Sequence, residues 1–307
     1  MHFAPGPALA ARLAGLPGLR LTVCPEDDDA GFADAMTRTE VLWHVLKPCT
    51  AAVMAGAPAL RLIQKIGVGV NTIDLDAARA RGIAVCNLPG TNTSAVAEMT
   101  LLLMLAALRR LPAFDAGLRQ GIWFAPPAIQ DSLGELGGST VGLIGYGAVP
   151  RLLAPVLRAL GCRILYAART PQADAAGEPR TLEALLADSD IVSLHVPLTR
   201  ETARMIDAAA LGRMKPGAVL VNTARGGLVD QVALTEALAT GRLGAAGLDV
   251  FADEPADPAD PLFRLSNVVV TPHVAWLTAG TFARSFEVAA ENCRRLAAGQ
   301  DLLHRVC

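Results

Sequence analysis

Apolar residues in this chain come in short, nearly continuous runs rather than in strict alternation with polar ones. LRLIQKI, STVGLIG, CRILYAA, DIVSLHVP, AVLVNTA, AAGLDVF and NVVVTPH read as strands buried on both faces, as in a parallel sheet covered by helices. LRLTVC, EVLWHVL and IAVCNLPG give further strand candidates nearer the start. Helical stretches lie between them. AAVMAGAP ends near 56–58, DLDAARARG is stopped by Gly82, and a long helix runs from 93 to about 110 with Thr93 or Ser94 as its cap. A Pro/Gly-rich loop follows it, then PRLLAPVLRALG and TLEALLADS as helices, and a final helix in TAGTFARSFEVAAENCRRLAAG with its charges on one side. Strand and helix alternate throughout, which predicts an α/β fold with parallel sheets.

Composition narrows this picture. At 307 residues the chain suits two domains, and at 52% hydrophobic it buries a core easily. The 27 basic and 29 acidic side chains leave a formal charge of -2 with no long run of either sign, which argues against nucleic acid or an anionic membrane as partner. Cys24, Cys49, Cys86, Cys162, Cys293 and Cys307 are scattered without a C-x-x-C pair, as expected of reduced, buried thiols in a cytoplasmic protein. The apolar run MTLLLMLAAL is too short for a bilayer span of about 20 residues and reads as a helix buried on most sides. MHFAPGPALAARL lacks the basic start and long apolar core of a signal peptide. No His/Cys/Asp cluster has ligand spacing, so no metal is expected.

Candidate chemistry begins at GLIGYGAVP, a strand followed by a glycine turn that opens a helix. In a dinucleotide-binding turn of the form G-x-G-x-x-G, Gly145 permits the tight turn and Gly147 lets the backbone approach a pyrophosphate. The amides of Ala148 and Val149 would open the helix beneath that phosphate. Pro150 replaces the third glycine, but in a first helical turn its missing N–H costs little. About twenty residues on, an NAD site usually carries an acid for the ribose hydroxyls. Here Ala168, Arg169 and Thr170 stand at the end of CRILYAA, and a guanidinium beside a hydroxyl suits a 2′-phosphate, so NADP(H) is favoured over NAD(H).

Three strand ends downstream carry Arg225 in VNTARGGLVD, Glu254 in GLDVFADEP and His273 in VVVTPHVAW. Alone, each has an ordinary reading as an ion pair, a solvated acid or a loop histidine. Behind a dinucleotide turn they match the needs of hydride transfer to a 2-keto acid. Histidine supplies a proton near working pH, Arg offers a fixed fork for a carboxylate, and a carboxylate beside the histidine favours its protonated form.

These segments, with KIGVGVNTID and SLHVPLT, resemble the D-isomer-specific 2-hydroxyacid dehydrogenases, a family that includes glyoxylate/hydroxypyruvate reductases, D-lactate dehydrogenases and phosphoglycerate dehydrogenases. The resemblance runs from about 65 to 276 and is only general before Ala51. It implies two Rossmann-like or flavodoxin-like parallel-sheet domains with an interdomain cleft. One is a discontinuous substrate-binding domain of residues 1–94 and 276–307, and the other a dinucleotide-binding domain of residues 95–275. It further implies that Arg225 binds substrate, His273 is the acid/base and Glu254 partners it. The backbone amides of Val68 and Gly69 would hold the substrate carboxylate, and Asn92 would line the cleft. Thr223 would lie near the nicotinamide ring and Asp249 would contact its carboxamide. His195 reads as structural or cofactor-side, Lys47 as a second cation or a solvated lysine, and Trp276 as a pocket wall or packed aromatic. A homodimer is expected, partly through the helix of residues 99–108. The expected activity is reduction of a small 2-keto acid such as glyoxylate or hydroxypyruvate. The alternatives are a dehydrogenase of a phosphorylated or other acid, and a nucleotide-sensing, corepressor-like binding protein.

Overall fold

Short β-branched and leucine-rich runs become parallel strands here because helices cover both of their faces. The computed structural model describes residues 1, 3–124, 127–170, 172 and 175–307. They divide into two compact units, Met1–Asn92 with Leu277–Cys307, and Thr93–Trp276.

The first unit contains α1 (Pro7–Ala14), α2 (Asp29–Met36), β1 (Val41–His44), α3 (Ala51–Ala55), β2 (Leu62–Lys65), α4 (Leu75–Ala80) and β3 (Ala84–Cys86). Its parallel sheet has the order β1-β2-β3, with Leu42 beside Ile63 and Ile63 beside Val85. Side chains start its helices where the sequence supplies a cap: Asp28, Thr50 and Asp74 accept from Gly31, Val53 and Ala77. The last helix of the chain (Ala279–Ala297) belongs to this unit. Its Phe286 stacks on Trp43 at 5.4 Å, and its buried Asn292 donates to Gln64 of β2 at 2.7 Å. The expected strand LRLTVC does not form. Among the described residues Cys24 exchanges backbone bonds with Met1 and Phe3 and Thr22 accepts from the N-terminal amine at 2.8 Å, which is too little of a ladder to make a strand.

The second unit begins with α5 (Thr93–Leu108), α6 (Leu111–Arg119) and α7 (Pro127–Gln130). The α/β series follows as β4 (Thr140–Ile144), α8 (Ala148–Ala159), β5 (Arg163–Ala167), β6 (Glu178–Pro179), α9 (Leu182–Asp188) and β7 (Ile191–Leu194). It ends with α10 (Ala208–Arg213), β8 (Val219–Asn222), α11 (Gln231–Ala239), β9 (Ala245–Leu248) and β10 (Val268–Val270). The final helix of the first unit is therefore α12. Helix α6 replaces part of the expected loop: Arg110 takes a left-handed turn at φ 51°, and Pro112 is tolerated in the first turn that follows.

All seven strands are parallel, in the order β10-β9-β8-β7-β4-β5-β6. Chain direction across the sheet therefore reverses between β4 and β7, the switch point outside which open α/β sheets bind ligands. Val141 and Leu143 pack with Leu103, Met104 and Leu157 on one face, while Val192, Leu194 and Leu220 pack with Leu185 and Leu234 on the other. Among the described residues no helix is long and apolar enough to cross a membrane.

Candidate active site

The glycine turn sits at the switch point, between the carboxyl end of β4 and the start of α8. Gly145 has φ 92°, and a Cβ there would lie 2.6 Å from the His195 carbonyl oxygen, so only glycine fits. Gly147 is the N-cap of α8, has no side-chain cap, and has open space where a side chain would stand. The first-turn amides of Ala148 and Val149 are thus not covered by a cap, and the helix dipole favours an anion there. Pro150 is the third residue of α8, buried, and removes one potential donor. These features fit a dinucleotide pyrophosphate.

Beyond β5, Ala168, Arg169 and Thr170 are all exposed. A bond from Thr199 holds Glu201 below the usual carboxylate range, and the charge of Arg169 acts in the same direction. His195 lies opposite the glycine turn, with its Nε2 2.9 Å from Ser193 Oγ. Desolvation pushes its imidazole down to about 3, so the ring is neutral, although the residue keeps some exposure.

Arg225, Glu254 and His273 come together beyond β8, β9 and β10. Asn222 shapes the first turn, accepting from the Ala224 amide at 3.0 Å and donating to the Arg225 carbonyl at 2.8 Å. Gly226 lies so close to the Phe251 carbonyl that no side chain fits, which joins the Arg225 turn to the segment leading to Glu254. Desolvation lowers the Arg225 guanidinium from its ordinary value, and the charge of Glu254 partly restores it. Burial pushes the Glu254 carboxyl up, but bonds from His273 and the Phe251 amide, with the charges of His273 and Arg225, hold it below the usual range. Glu254 Oε1 accepts from the Phe251 amide at 3.0 Å, and Oε2 is 2.6 Å from His273 Nδ1. A carboxylate at Nδ1 favours the proton on that nitrogen and leaves Nε2 as the ring nitrogen for proton exchange.

Backbone strain accompanies this arrangement. His273 has φ 54°, in the left-handed region, and its amide donates to the carbonyls of Asp249 at 2.7 Å and Thr271 at 3.0 Å. Trp276 Nε1 donates to the His273 carbonyl at 2.9 Å, so this largely buried indole pins the histidine rather than standing free. Asp249 is fully buried and gathers three donors from the same loop: Thr271 Oγ1 at 2.6 Å, Val274 N at 2.9 Å and Ala275 N at 2.9 Å. Burial raises its carboxyl above the ordinary value against the pull of these bonds and of His273. The resemblance implies a cofactor contact for Asp249, and nothing local in the sequence signals this anchoring. Thr223 is nearly buried, its hydroxyl 2.8 Å from that of Thr100 on α5, a residue the sequence did not single out.

Val68, Gly69 and Asn92 belong to the first unit. Gly67 accepts from the Leu88 amide at 2.8 Å, and the Val68 carbonyl accepts from Asn87 Nδ2 at 2.9 Å. These bonds hold the glycine turn against the strand end after β3. Lys47 pairs with Asp29 and donates to the Glu26 carbonyl at 3.2 Å, which commits its charge locally.

Residues 101–275 match the model of the D-isomer specific 2-hydroxyacid dehydrogenase NAD binding domain. The chain belongs to this family. It is 44% identical to a D-3-phosphoglycerate dehydrogenase of Mycobacterium leprae over 254 residues, 81% of this chain but 47% of that one. It thus spans about half the length of the phosphoglycerate dehydrogenases it matches. A glyoxylate reductase of Korarchaeum cryptofilum is 43% identical over 250 residues, covering 80% of this chain and 75% of the relative. The solved structure of the TT0316 protein from Thermus thermophilus superimposes with a TM-score of 0.89 at 39% identity, covering 100% and 98% of the two chains.

Proposed function

We propose that the chain reduces a small 2-keto acid, glyoxylate or hydroxypyruvate, to the D-2-hydroxy acid at the expense of NAD(P)H. The observation that carries this reading is the 2.6 Å contact between His273 and Glu254, in a sheet whose first strand-to-helix turn is shaped for a pyrophosphate. A bound reduced nicotinamide would supply the hydride. Protonated His273 gives its Nε2 proton to the carbonyl oxygen as the keto carbon becomes tetrahedral, and Glu254 stabilises the imidazolium through Nδ1. Arg225 pairs with the substrate carboxylate and polarises the carbonyl. It stays charged at any working pH despite its burial. In the reverse direction neutral His273 takes the proton from the hydroxyl.

The small acid is favoured over a phosphorylated one because the match to the glyoxylate reductase spans most of that relative. NADPH is favoured over NADH because Ala168 stands where a ribose-binding acid is usual and Arg169 and Thr170 are exposed beside it. Self-association through the second unit is supported by exposed apolar side chains, Leu102 and Leu105 on α5, Trp123 and Phe124 after α6, and Leu152 and Val156 on α8. Light scattering reads that directly.

Loss of reduced-nicotinamide absorbance tests the activity, with NADH and NADPH each paired with glyoxylate, hydroxypyruvate and phosphohydroxypyruvate. Faster oxidation of NADPH by the unphosphorylated acids is expected. A preference for NADH would overturn the cofactor assignment, and a preference for the phosphorylated acid would overturn the substrate assignment. Binding of both cofactors without turnover would leave a sensor as the better description.

A further inference from the structure

A cavity of about 210 Å³ opens inside the first unit, between α2, the end of β1 and α3. Most of its wall is apolar, formed by Phe32, Leu42, Val45, Pro48, Cys49 and Val53. Burial pushes the Cys49 thiol up to about 11, with the charge of Asp74 acting the same way, so this part of the wall carries no charge. His44 lines the cavity too, but both of its ring nitrogens are engaged within the wall. Nε2 lies 2.7 Å from the Lys47 carbonyl, which only accepts, and Nδ1 lies 3.4 Å from the Lys65 ammonium, which only donates. This pattern places the ring proton on Nε2 and leaves a guest the imidazole face rather than a polar atom.

The polar groups gather at one end. Asp29 and Lys47 line the cavity, pair with each other, and both reach solvent, so their ion pair marks its mouth. An ammonium has three donors, of which Asp29 and the Glu26 carbonyl take two from Lys47 and leave one. A carboxylate accepts at both oxygens, so Asp29 can keep Lys47 and take a second cation.

We propose that this cavity binds a small apolar α-amino acid, with its side chain among Phe32, Leu42 and Val53 and its charged end across Asp29 and Lys47. A cavity of about 150 Å³ lined by Leu, Ile and Phe takes up benzene. The 210 Å³ here therefore has room for a side chain such as that of leucine. A carboxylate alone would set a second negative charge beside Asp29, and an amine alone a second positive charge beside Lys47. The zwitterion does neither: its carboxylate meets Lys47, its ammonium meets Asp29, and the four charges alternate. Every residue of this site lies in the first unit, and none has a part in the reaction proposed above.

L-Leucine is the probe, titrated by calorimetry into the unaltered protein, Val53→Phe and Lys47→Met. Saturable binding at one site is expected. Along alanine, 2-aminobutyrate and norvaline the affinity should rise about 3- to 4-fold for each methylene buried. 4-Methylpentanoate and 3-methylbutylamine keep the tail of leucine and lose one charge each, and should bind about 10-fold more weakly. Val53→Phe fills the cavity and Lys47→Met removes the partner of the carboxylate, so each should weaken leucine by about 10-fold or more. Absence of saturable binding, or an affinity that stays flat along the series, overturns the proposal. Undiminished affinity in Val53→Phe would put leucine elsewhere and overturns it too. If Val53→Phe does not fold, Lys47→Met decides, because a solvent-reaching side chain is replaced there, and undiminished affinity in it overturns the proposal equally. Binding of the lone acid or the lone amine as tightly as leucine overturns the assignment to an amino acid.

Discussion

Replacing Asp249 with Asn preserves the shape of the side chain and removes what its position requires. The carboxylate accepts three donors from the loop of His273, and it is fully buried. An amide oxygen at Oδ1 can keep Thr271 and Val274, but the NH2 then faces the Ala275 amide, donor against donor. One hydrogen bond is lost with a buried N–H left unpaired, which costs about 1–3 kcal/mol, and the two surviving bonds lose their charge assistance, about 1 kcal/mol each. Relief from burying a charge offsets part of this, since burial already raises the Asp249 carboxyl above its ordinary value. The net expectation is a loss of about 2–3 kcal/mol, or a fall in Tm of about 4–12 °C for a unit of this size. Freed of its anchor, His273 relaxes from a left-handed conformation that costs about 1–2 kcal/mol. A ring displaced by about 1 Å costs about 100-fold in turnover. Thermal unfolding, steady-state reduction of glyoxylate and dinucleotide affinity are measured on the same preparation. A normal Tm and kcat with only the affinity changed would refute the anchoring role and return Asp249 to the cofactor.

Other consequences can be checked separately. Because Glu254 is held below its ordinary value of 4.5, its contribution to stability is present above that pH and is lost as pH falls through the lowered value. The Tm gap between wild type and Glu254→Gln should therefore be widest near neutrality and close below about pH 4.5, and a gap constant down to pH 3 would contradict this. Arg225→Lys keeps the charge and loses the planar fork, so kcat/KM for the keto acid should drop by about 10- to 100-fold with dinucleotide affinity unchanged. A loss confined to dinucleotide binding would move Arg225 out of the substrate site. Arg169→Ala should weaken NADPH binding by about 10-fold and leave NADH within twofold, as expected when one charged contact to a phosphate is removed. Equal effects on both would dismiss a 2′-phosphate contact.

The parts of this molecule that announce themselves in sequence are those whose cause is local. Runs such as TVGLI, IVSL and VLVN have no fate but buried strands, and the spacing of Gly145 and Gly147 after one of them marks the turn at the switch point. Arg225, Glu254 and His273 are visible because each closes a strand, and the structure brings these strand ends together. What stayed hidden depends on distant partners. Asp249 looks like any acid after a strand until the amides of Val274 and Ala275, some 25 residues on, fold back to it. Thr100 reads as a filler in an apolar helix, since its partner lies 123 residues away. LRLTVC carries β propensity but pairs with no strand among the described residues, and propensity alone does not make a ladder. Helices α10 and α11, which the apolar pattern did not reveal, are short and start at Asp207 and Asp230, whose capping role is local but easily read as loop chemistry.

Hydride transfer to a keto acid should take its proton from His273. The most direct measurement is a single turnover in a stopped-flow spectrometer, following reduced-nicotinamide absorbance after mixing loaded protein with glyoxylate, for wild type and His273→Gln. Rapid loss of absorbance is expected in wild type. In the variant the rate should be lower by about 10²- to 10⁴-fold, with dinucleotide affinity unchanged. Oxidation at the wild-type rate in His273→Gln would contradict it.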